Sequence, residues 1–369
     1  MTKCKIAVIA GDGIGIEVMD EALQVLNVLE EHEQDFALTI EKFPWNSEYY
    51  LAHGRMMPAD GMETLKKFDA ILFGAIGDAR VPDEITIWEL IMPIRKQFQQ
   101  YVNFRPVKSL PGIQSPLSKG DDIDFVIFRE NAEGEYSDSG GRMFDSQPSE
   151  LAIQNTIMTR GGIERITKAA CDYALHNGKK KVTSATKSNA VIHAMKLWDE
   201  HVKRVLAEGY PELELESYYI DALVAYFVQR PQSFEVVVAS NLFGDILSDL
   251  GSGIVGGLGL SPSANINPEK EYPSMFEPVH GSAPDIAGKG IANPIAQIWS
   301  TALMLEHLGR EDLSAKVITA IEDVLAEGTV KTADIGGTAT TKQMGSAIVE
   351  KIKQQYTTEE MGNVVHGTH

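Results

Sequence analysis

Apolar positions follow two rhythms along this chain. Lys5-Ile-Ala-Val-Ile-Ala10 is a short apolar run of the kind a strand covered on both faces shows, and Ile14, Val18, Ala22, Val25, Leu26 and Leu29 then recur at the spacing of one helix face. The alternation repeats as a strand near residues 37–43, a helix near 62–68 and another buried strand in Asp69-Ala-Ile-Leu-Phe-Gly74. Further strands are predicted at 104–107, 123–128, 181–184, 213–220 and 235–239, with helical spacing between several of them. Strands that alternate with helices make an α/β fold, and this many of them predicts a second sheet.

The polar, glycine-containing stretch 137–162 carries no helical stripe and is predicted to protrude as an arm. Gly251, Gly253, Gly256, Gly257 and Gly259 then crowd one segment, and helical patterns dominate from Asn293 onward, which marks a crossing between domains. The division that follows is one discontinuous domain (1–99 and 252–355), a second domain (100–251), and a polar, loosely held tail (356–369). Segment 291–308 is the longest later apolar stretch. Asn293, Pro294, Gln297 and Glu306 interrupt it, so it predicts a buried helix rather than a membrane span.

Composition narrows the class. Of 369 residues 43% are hydrophobic and 23% charged, which argues against disorder and fibrous architectures. Lys plus Arg 33 against Asp plus Glu 52 gives a net charge of −19, a field that repels nucleic acid and anionic membrane, and no basic run is large enough to offset it. Cys4 and Cys171 are far apart and outside any metal-ligand spacing, which suits buried thiols in a reducing compartment. The apolar stretch at 6–10 is too short for a secretion signal, so a cytoplasmic location is expected.

Candidate chemistry lies at element ends. Gly11-Asp-Gly-Ile-Gly15 sits between strand and helix, but position 16 is Ile16, so the dinucleotide fingerprint fails and the glycines fit a simple chain reversal. In Val236-Val-Val-Ala-Ser-Asn-Leu-Phe-Gly-Asp-Ile-Leu-Ser-Asp249 a buried strand runs into a helix bearing Asp245 and Asp249. Four apart, these carboxylates share a face, and either water or a cation must separate their charges. Asp221, just after the strand ending at Ile220, is a third candidate ligand for Mg²⁺ or Mn²⁺.

Arg95, Arg105 and Arg129 also stand at element ends, and guanidinium forks in one cleft would hold an acidic small molecule; three separate surface ion pairs are the alternative. Lys187 and Tyr136 are candidate proton carriers, though spacing does not bring them together. The loop 276–294, rich in Gly and Pro, ends where Asn293 can cap a helix whose first residue is Pro294, and its backbone donors suit a nucleotide.

Taken together, Gly11-Asp-Gly-Ile-Gly15, Ile94-Arg-Lys through Phe104-Arg-Pro106, Arg129-Glu-Asn, Lys187-Ser-Asn189, Ser240 through Asp249 and Glu277-Pro-Val-His-Gly-Ser-Ala-Pro-Asp285 resemble the β-decarboxylating dehydrogenases of 2-hydroxy acids. That family includes isopropylmalate, isocitrate, tartrate and D-malate dehydrogenases, and the resemblance spans nearly the whole chain. It implies an α/β, isopropylmalate dehydrogenase-like two-domain fold with a central mixed sheet, not a Rossmann fold, in which 1–99 with 252–355 is the cofactor-binding domain and 100–251 the metal, substrate and dimerisation domain. It implies that Asp221, Asp245 and Asp249 bind Mg²⁺ or Mn²⁺, that Arg95, Arg105 and Arg129 hold the substrate carboxylate, and that Lys187 and Tyr136 transfer protons. Lys187 and Asp221 would come from the second subunit of a homodimer with shared active sites. Hydrogen bonding near Lys187 is expected to make Tyr136 a better acid.

The resemblance further implies that His280, Gly281, Ser282, Ala283, Asn293 and Asp334 contact the cofactor, with Asn189 near the nicotinamide. Family members that use the phosphorylated cofactor carry Lys and Tyr where this chain has Asp285 and Ile286, which implies NAD⁺ here. Activation by a monovalent cation such as K⁺ is common in the tartrate/D-malate branch.

Substrate choice turns on the helix before Arg95. Isopropylmalate enzymes carry Glu seven residues before that arginine, where this chain has Trp88; isocitrate enzymes carry Ser and Asn where Glu89 and Ile91 stand. Trp88 would shorten the pocket to a four-carbon diacid and offer its indole N–H to a hydroxyl, ordinary core packing being the alternative. Glu48-Tyr-Tyr50, Met56-Met-Pro58 and Ile87-Trp88 also resemble the tartrate/D-malate branch. The activity expected is NAD-dependent, divalent-metal-dependent oxidation of tartrate or D-malate, D-malate yielding pyruvate and CO₂. Within the family, 3-isopropylmalate dehydrogenase is the alternative. From another class, it is a metal-dependent lyase or aldolase without redox chemistry.

Overall fold

A computed structural model of the chain describes residues 2–366. The first apolar run forms β1 (Thr2–Gly11), and the helical stripe behind it becomes the Ile14–His32 helix, which buries Val18, Ala22, Val25, Leu26 and Leu29. The other predicted strands are β2 (Phe36–Lys42), β3 (Ala70–Ala75), β4 (Val102–Lys108), β5 (Asp124–Glu130), β8 (Lys181–Thr186), β9 (Glu214–Tyr219) and β10 (Val236–Ala239). Two strands lie where glycines and a loop were expected: β11 (Pro262–Ile266) and β12 (Ser274–Pro278). Phe276-Glu-Pro278 is thus strand, not loop.

These two strands remove the need for a second main sheet. Ten strands form one sheet in the order β2-β1-β3-β12-β11-β4-β5-β10-β8-β9. β11 is antiparallel to both β12 and β4, and β4 to β5, while every other neighbouring pair is parallel. A parallel block at each end is therefore joined through an antiparallel centre. The only other sheet among the described residues is an exposed two-stranded ribbon, β6 (Gly140–Met143) with β7 (Leu151–Gln154), inside the segment predicted as an arm. That segment ends earlier than 162, because the Thr159 hydroxyl accepts from Gly162 N and caps a helix beginning at Arg160.

Apolar cores lie beside each block. The Ile14–His32, Ile295–His307 and Glu311–Glu327 helices pack with β1, β3 and β12, and the Arg160–His176 and Ala194–Gly209 helices pack with β5, β8 and β10. Phe104 and Ile266 touch both cores. The Ile295–His307 helix is buried through Leu305, and no helix among the described residues is long and apolar enough to cross a membrane. The tail expected to be loose from 356 is instead the end of a helix running Thr341–His366, with Tyr356 buried and its hydroxyl donating to Glu33 Oε1 at 2.8 Å. Residues 367–369 lie outside the described residues.

Strand alternation sets up the site. On β4, β5 and β12 the pairs Phe104/Arg105, Phe128/Arg129 and Phe276/Glu277 send an aromatic ring to one face of the sheet and an ionic group to the other. The rings of Phe104 and Phe128 meet edge to face at 5.5 Å on the core side. The charged members converge opposite them.

Candidate active site

Arg129 is 1% exposed, and its guanidinium is held on three sides: Nη1 donates to Asp245 Oδ1 at 2.6 Å, and Nε and Nη2 donate to Asn241 Oδ1 at 3.2 and 2.8 Å. Close approach requires Gly244, where an added methyl carbon would stand 2.5 Å from Arg129 Cβ. Arg105 Nη1 lies 3.4 Å from the same Asp245 oxygen, 3.8 Å from Asp249, and donates to Ser248 Oγ. Arg95 pairs instead with Glu277 Oε1 at 2.7 Å, an oxygen that also accepts from Asn265 Nδ2. Burial pushes the Arg105 guanidinium below its usual range, and burial together with neighbouring Arg105 does the same at Arg129. The Nε atoms of Arg95 and Arg105 are buried without a partner. Under-compensated buried cations and orphan donors are a deficit that a bound carboxylate removes.

Asp245 and Asp249 project from the Asn241–Val255 helix, whose first turn is pinned by Glu135: one oxygen accepts from Ser240 Oγ and the other from Leu242 N. Burial raises the Asp245 carboxyl, but Arg129 and Arg105 outweigh it, so the group sits below the ordinary range. Asp249 moves the other way, raised by burial against the pull of Arg105, with Asp245 adding repulsion. Two hard oxygen donors on one helix face, one strained by the other's charge, fit a divalent cation. Among the described residues of one chain, no three His, Cys, Asp or Glu gather closely enough to hold a metal ion.

The third expected ligand stands elsewhere. Asp221 opens the Ile220–Gln229 helix after β9, and its Oδ1 meets Lys187 Nζ at 2.5 Å just beyond β8. Lys187 thereby lowers the Asp221 carboxyl. No hydrogen bond or ion pair among the described residues links either group to Asp245. Tyr136 does reach the arginines: its hydroxyl donates to Asp245 Oδ2 at 2.9 Å, and Arg129 lies 5.4 Å from its ring centre. Burial and then Asp245 raise the phenol above its ordinary value, the opposite of the expected easing by Lys187, because within one chain its neighbour is a carboxylate.

The expected cofactor residues form a second group. The loop after β12 folds over the start of the Ile14–His32 helix: Ile14 N donates to Ser282 O at 2.9 Å, Ala283 and Ile286 pack on Ile14 and Val18, and Glu17 accepts from Gly288 N and Gly290 N. The Gly11–Gly15 turn beneath it is a chain reversal, as its sequence suggested. Gly11 has φ +74°, and an added methyl would fall 1.8 Å from Ala75 O. His280 Nδ1 stands 2.9 Å from Gly281 O, its Nε2 is shielded without a partner, and burial lowers its pKa. Asn293 Nδ2 donates to Asp334 Oδ2 and its Oδ1 accepts from Ile295 N, but the helix starts at Ile295 with Pro294, not Asn293, in the cap position, one residue later than expected. Asp285 is exposed, and so is Asn189, two residues after Lys187.

With this geometry in place, comparison with known proteins is decisive. The sequence matches the isocitrate/isopropylmalate dehydrogenase family over residues 5–348. The chain belongs to that family. It is similar to the tartrate dehydrogenase/decarboxylase of Pseudomonas putida, 51% identical over 358 residues that cover 94% of this chain and 97% of the relative. Its identity to the D-malate dehydrogenase [decarboxylating] of Escherichia coli (strain K12) is 50% over 361 residues, covering 95% and 99%. Among solved structures, isocitrate dehydrogenase from Methylococcus capsulatus superposes with a TM-score of 0.86 at 34% identity, covering 95% of this chain and 99% of that one.

As a member of this family of metal- and NAD(P)-dependent dehydrogenases, the chain is an oxidoreductase acting on a small hydroxy acid. Its fold is the family's mixed sheet with flanking helices, as the resemblance implied. Sequence reasoning passed over Glu277, Asn241 and Ser248, which hold the three arginines in place. All three lie inside the quoted motifs, yet a hydrogen-bond partner on an element distant in sequence leaves no spacing signal.

Proposed function

We propose that the chain is a cytoplasmic, homodimeric dehydrogenase that oxidises tartrate or D-malate with NAD⁺ and Mg²⁺ or Mn²⁺, converting D-malate to pyruvate and CO₂. The observation that carries this reading is the convergence of Arg105, Arg129 and Tyr136 on Asp245, with Arg95 fixed by Glu277, a pocket of buried cations suited to a small dianion. The names of the relatives at about 50% identity support the four-carbon substrates. Trp88 is half-buried on the helix leading to Arg95, where a bulky ring limits chain length.

In this mechanism Arg95, Arg105 and Arg129 bind the β-carboxylate. Lys187 Nζ of the second subunit accepts the proton of the C2 hydroxyl as hydride leaves C2. After the β-carboxylate departs as CO₂, Tyr136, kept protonated by burial and Asp245, delivers its proton to C3. Asp245 and Asp249, with Asp221 of the second subunit, would hold the divalent ion. Asn293, Asp334, Asn189 and the loop from His280 to Ile286 would hold the dinucleotide, the Asp285 carboxylate accepting from ribose hydroxyls and repelling a 2′-phosphate. When bound, the ion supplies Lewis-acid stabilisation of negative charge on the substrate, and NAD⁺ supplies the hydride acceptor. A monovalent cation such as K⁺ is an expected activator.

The test is a panel of 2-hydroxy diacids assayed with NAD⁺ and Mn²⁺, following both reduced cofactor and keto product. D-malate or a tartrate isomer is expected to give the highest kcat/KM. A rate that climbs with 3-alkyl bulk would establish 3-isopropylmalate as substrate, and turnover without nicotinamide would establish a lyase or aldolase.

A further inference from the structure

The helix that carries Arg95 is irregular just before it. Between the α-helical turns Asp83–Thr86 and Met92–Gln97 lies one π turn, Ile87–Ile91, with Met92 N donating to Ile87 O. Such a turn has poorer hydrogen-bond geometry than the α-helix and recurs at functional sites. It takes in one residue more than a regular turn, so positions eight apart across it stand where positions seven apart would, on one face. Trp88 and Lys96 are such a pair.

The contacts agree with that winding. Lys96 Nζ sits 4.8 Å from the Trp88 ring centre and 3.5 Å from the backbone oxygen of Tyr136. Lys96 forms no ion pair among the described residues, so its ammonium is spent on an indole face and a carbonyl. One cation therefore bridges Trp88, the proposed wall of the substrate pocket, and the segment bearing Tyr136, the proposed proton donor.

From this we infer that Lys96 is a positioning residue for substrate choice: it pins the Trp88 indole so that the room beyond C3 of a four-carbon diacid stays closed to a longer side chain. This rests on the tartrate/D-malate reading above. A cation over an indole face shifts the population of one ring position by about tenfold, enough to be read in selectivity.

The experiment compares Lys96→Met, which keeps the stem and loses the charge, with Lys96→Arg, which keeps the charge. The measured quantity is kcat/KM for D-malate divided by kcat/KM for 3-isopropylmalate, with NAD⁺ and Mn²⁺. In Lys96→Met this ratio is expected to fall about tenfold, chiefly through a lower KM for 3-isopropylmalate with kcat for D-malate held within about threefold, and Lys96→Arg is expected to restore most of it. A second readout needs no turnover. Trp45, Trp198 and Trp299 are buried, so acrylamide quenching of the four tryptophans reports mainly Trp88, and Trp88→Phe confirms the assignment.

Lys96→Met should raise the quenching constant. An unchanged ratio and unchanged quenching in folded Lys96→Met overturns the inference; increased quenching with an unchanged ratio leaves the contact but removes its role in selection. Should the unmodified enzyme prefer 3-isopropylmalate, the four-carbon reading falls and this inference with it, whereas a D-malate preference that Lys96→Met leaves intact removes only the inference.

Discussion

Glu130 follows Arg129 on β5 and is 2% exposed, with one oxygen accepting from Ala132 N and Glu133 N and the other buried without a partner. Its ion-pair partner, Arg165, stands 3.4 Å away with its side chain 32% exposed. Burial therefore wins, and the carboxyl is raised from 4.5 to about 7. Because the folded state holds this proton more tightly than the unfolded chain, the contribution to stability is complete below about pH 4.5 and is lost as pH rises through about 7. At about 1.4 kcal/mol for each tenfold in proton affinity, the loss is about 3 kcal/mol. Glu130→Gln mimics the protonated acid and keeps the accepting oxygen. Urea unfolding at one protein concentration, between pH 4.5 and 8, should show the wild type falling relative to Glu130→Gln by about that amount. Parallel profiles would show that the buried carboxyl ionises without cost and that the physical account of Glu130 is wrong.

Lys187→Met should lower kcat by about a thousandfold while leaving NAD⁺ affinity, measured by calorimetry, unchanged, as expected if Nζ only moves a proton; retained turnover would remove Lys187 from the mechanism. Asp285→Lys with Ile286→Tyr should move the NADP⁺/NAD⁺ ratio of kcat/KM upward by about a hundredfold, since a repelling carboxylate becomes an attracting ammonium, and an unmoved ratio would detach this loop from cofactor choice. Val228→Asp, on the exposed side of the Ile220–Gln229 helix, should make the sedimentation coefficient and specific activity fall together on dilution; activity that survives in a monomer would refute a shared site.

Much of this arrangement is legible in one sequence, and the parts that are not have identifiable physical causes. Parallel strands covered on both faces announce themselves as apolar runs, so β1, β3, β5 and β10 are readable without a partner. β11 and β12 are not: Pro262-Ser-Ala-Asn-Ile266 and Ser274-Met-Phe-Glu-Pro278 mix polar and apolar groups because one face meets the core and the other the ionic cluster. Missing them turned one sheet into two. The tail was misread for a related reason: its polarity hides Tyr356, a single ring whose burial and bond to Glu33 tie the helix down. Among the site residues, the Asp245/Asp249 spacing and the three arginines are readable as local patterns, although Arg105 lies within β4 rather than at an element end. Their supports Glu277, Asn241 and Asn265 were not, because each acts from a stretch of chain distant in sequence, Glu277 and Asn265 on neighbouring strands and Asn241 on a helix.

The placement of Lys187 and Asp221 fits the proposed dimer on charge grounds. In one chain the pair neutralises itself at the surface, while Asp245 and Asp249 remain two carboxylates on one helix face with no third ligand among the described residues. The same region exposes Val191, Ile192, Tyr219, Val228 and Ile246, apolar groups on the elements that bear Lys187, Asp221 and Asp245. A monomer would gain nothing from presenting that surface to water beside an incomplete metal site. A second copy packed against it would cover the apolar groups, bring a third carboxylate to Asp245 and Asp249, and set an ammonium beside the phenol of Tyr136. That ammonium would favour the ionised form of a phenol which the isolated chain holds protonated. On this argument, association of two chains both completes the metal site and tunes the acid, so the catalytic pH profile should belong to the dimer and not to the folded monomer.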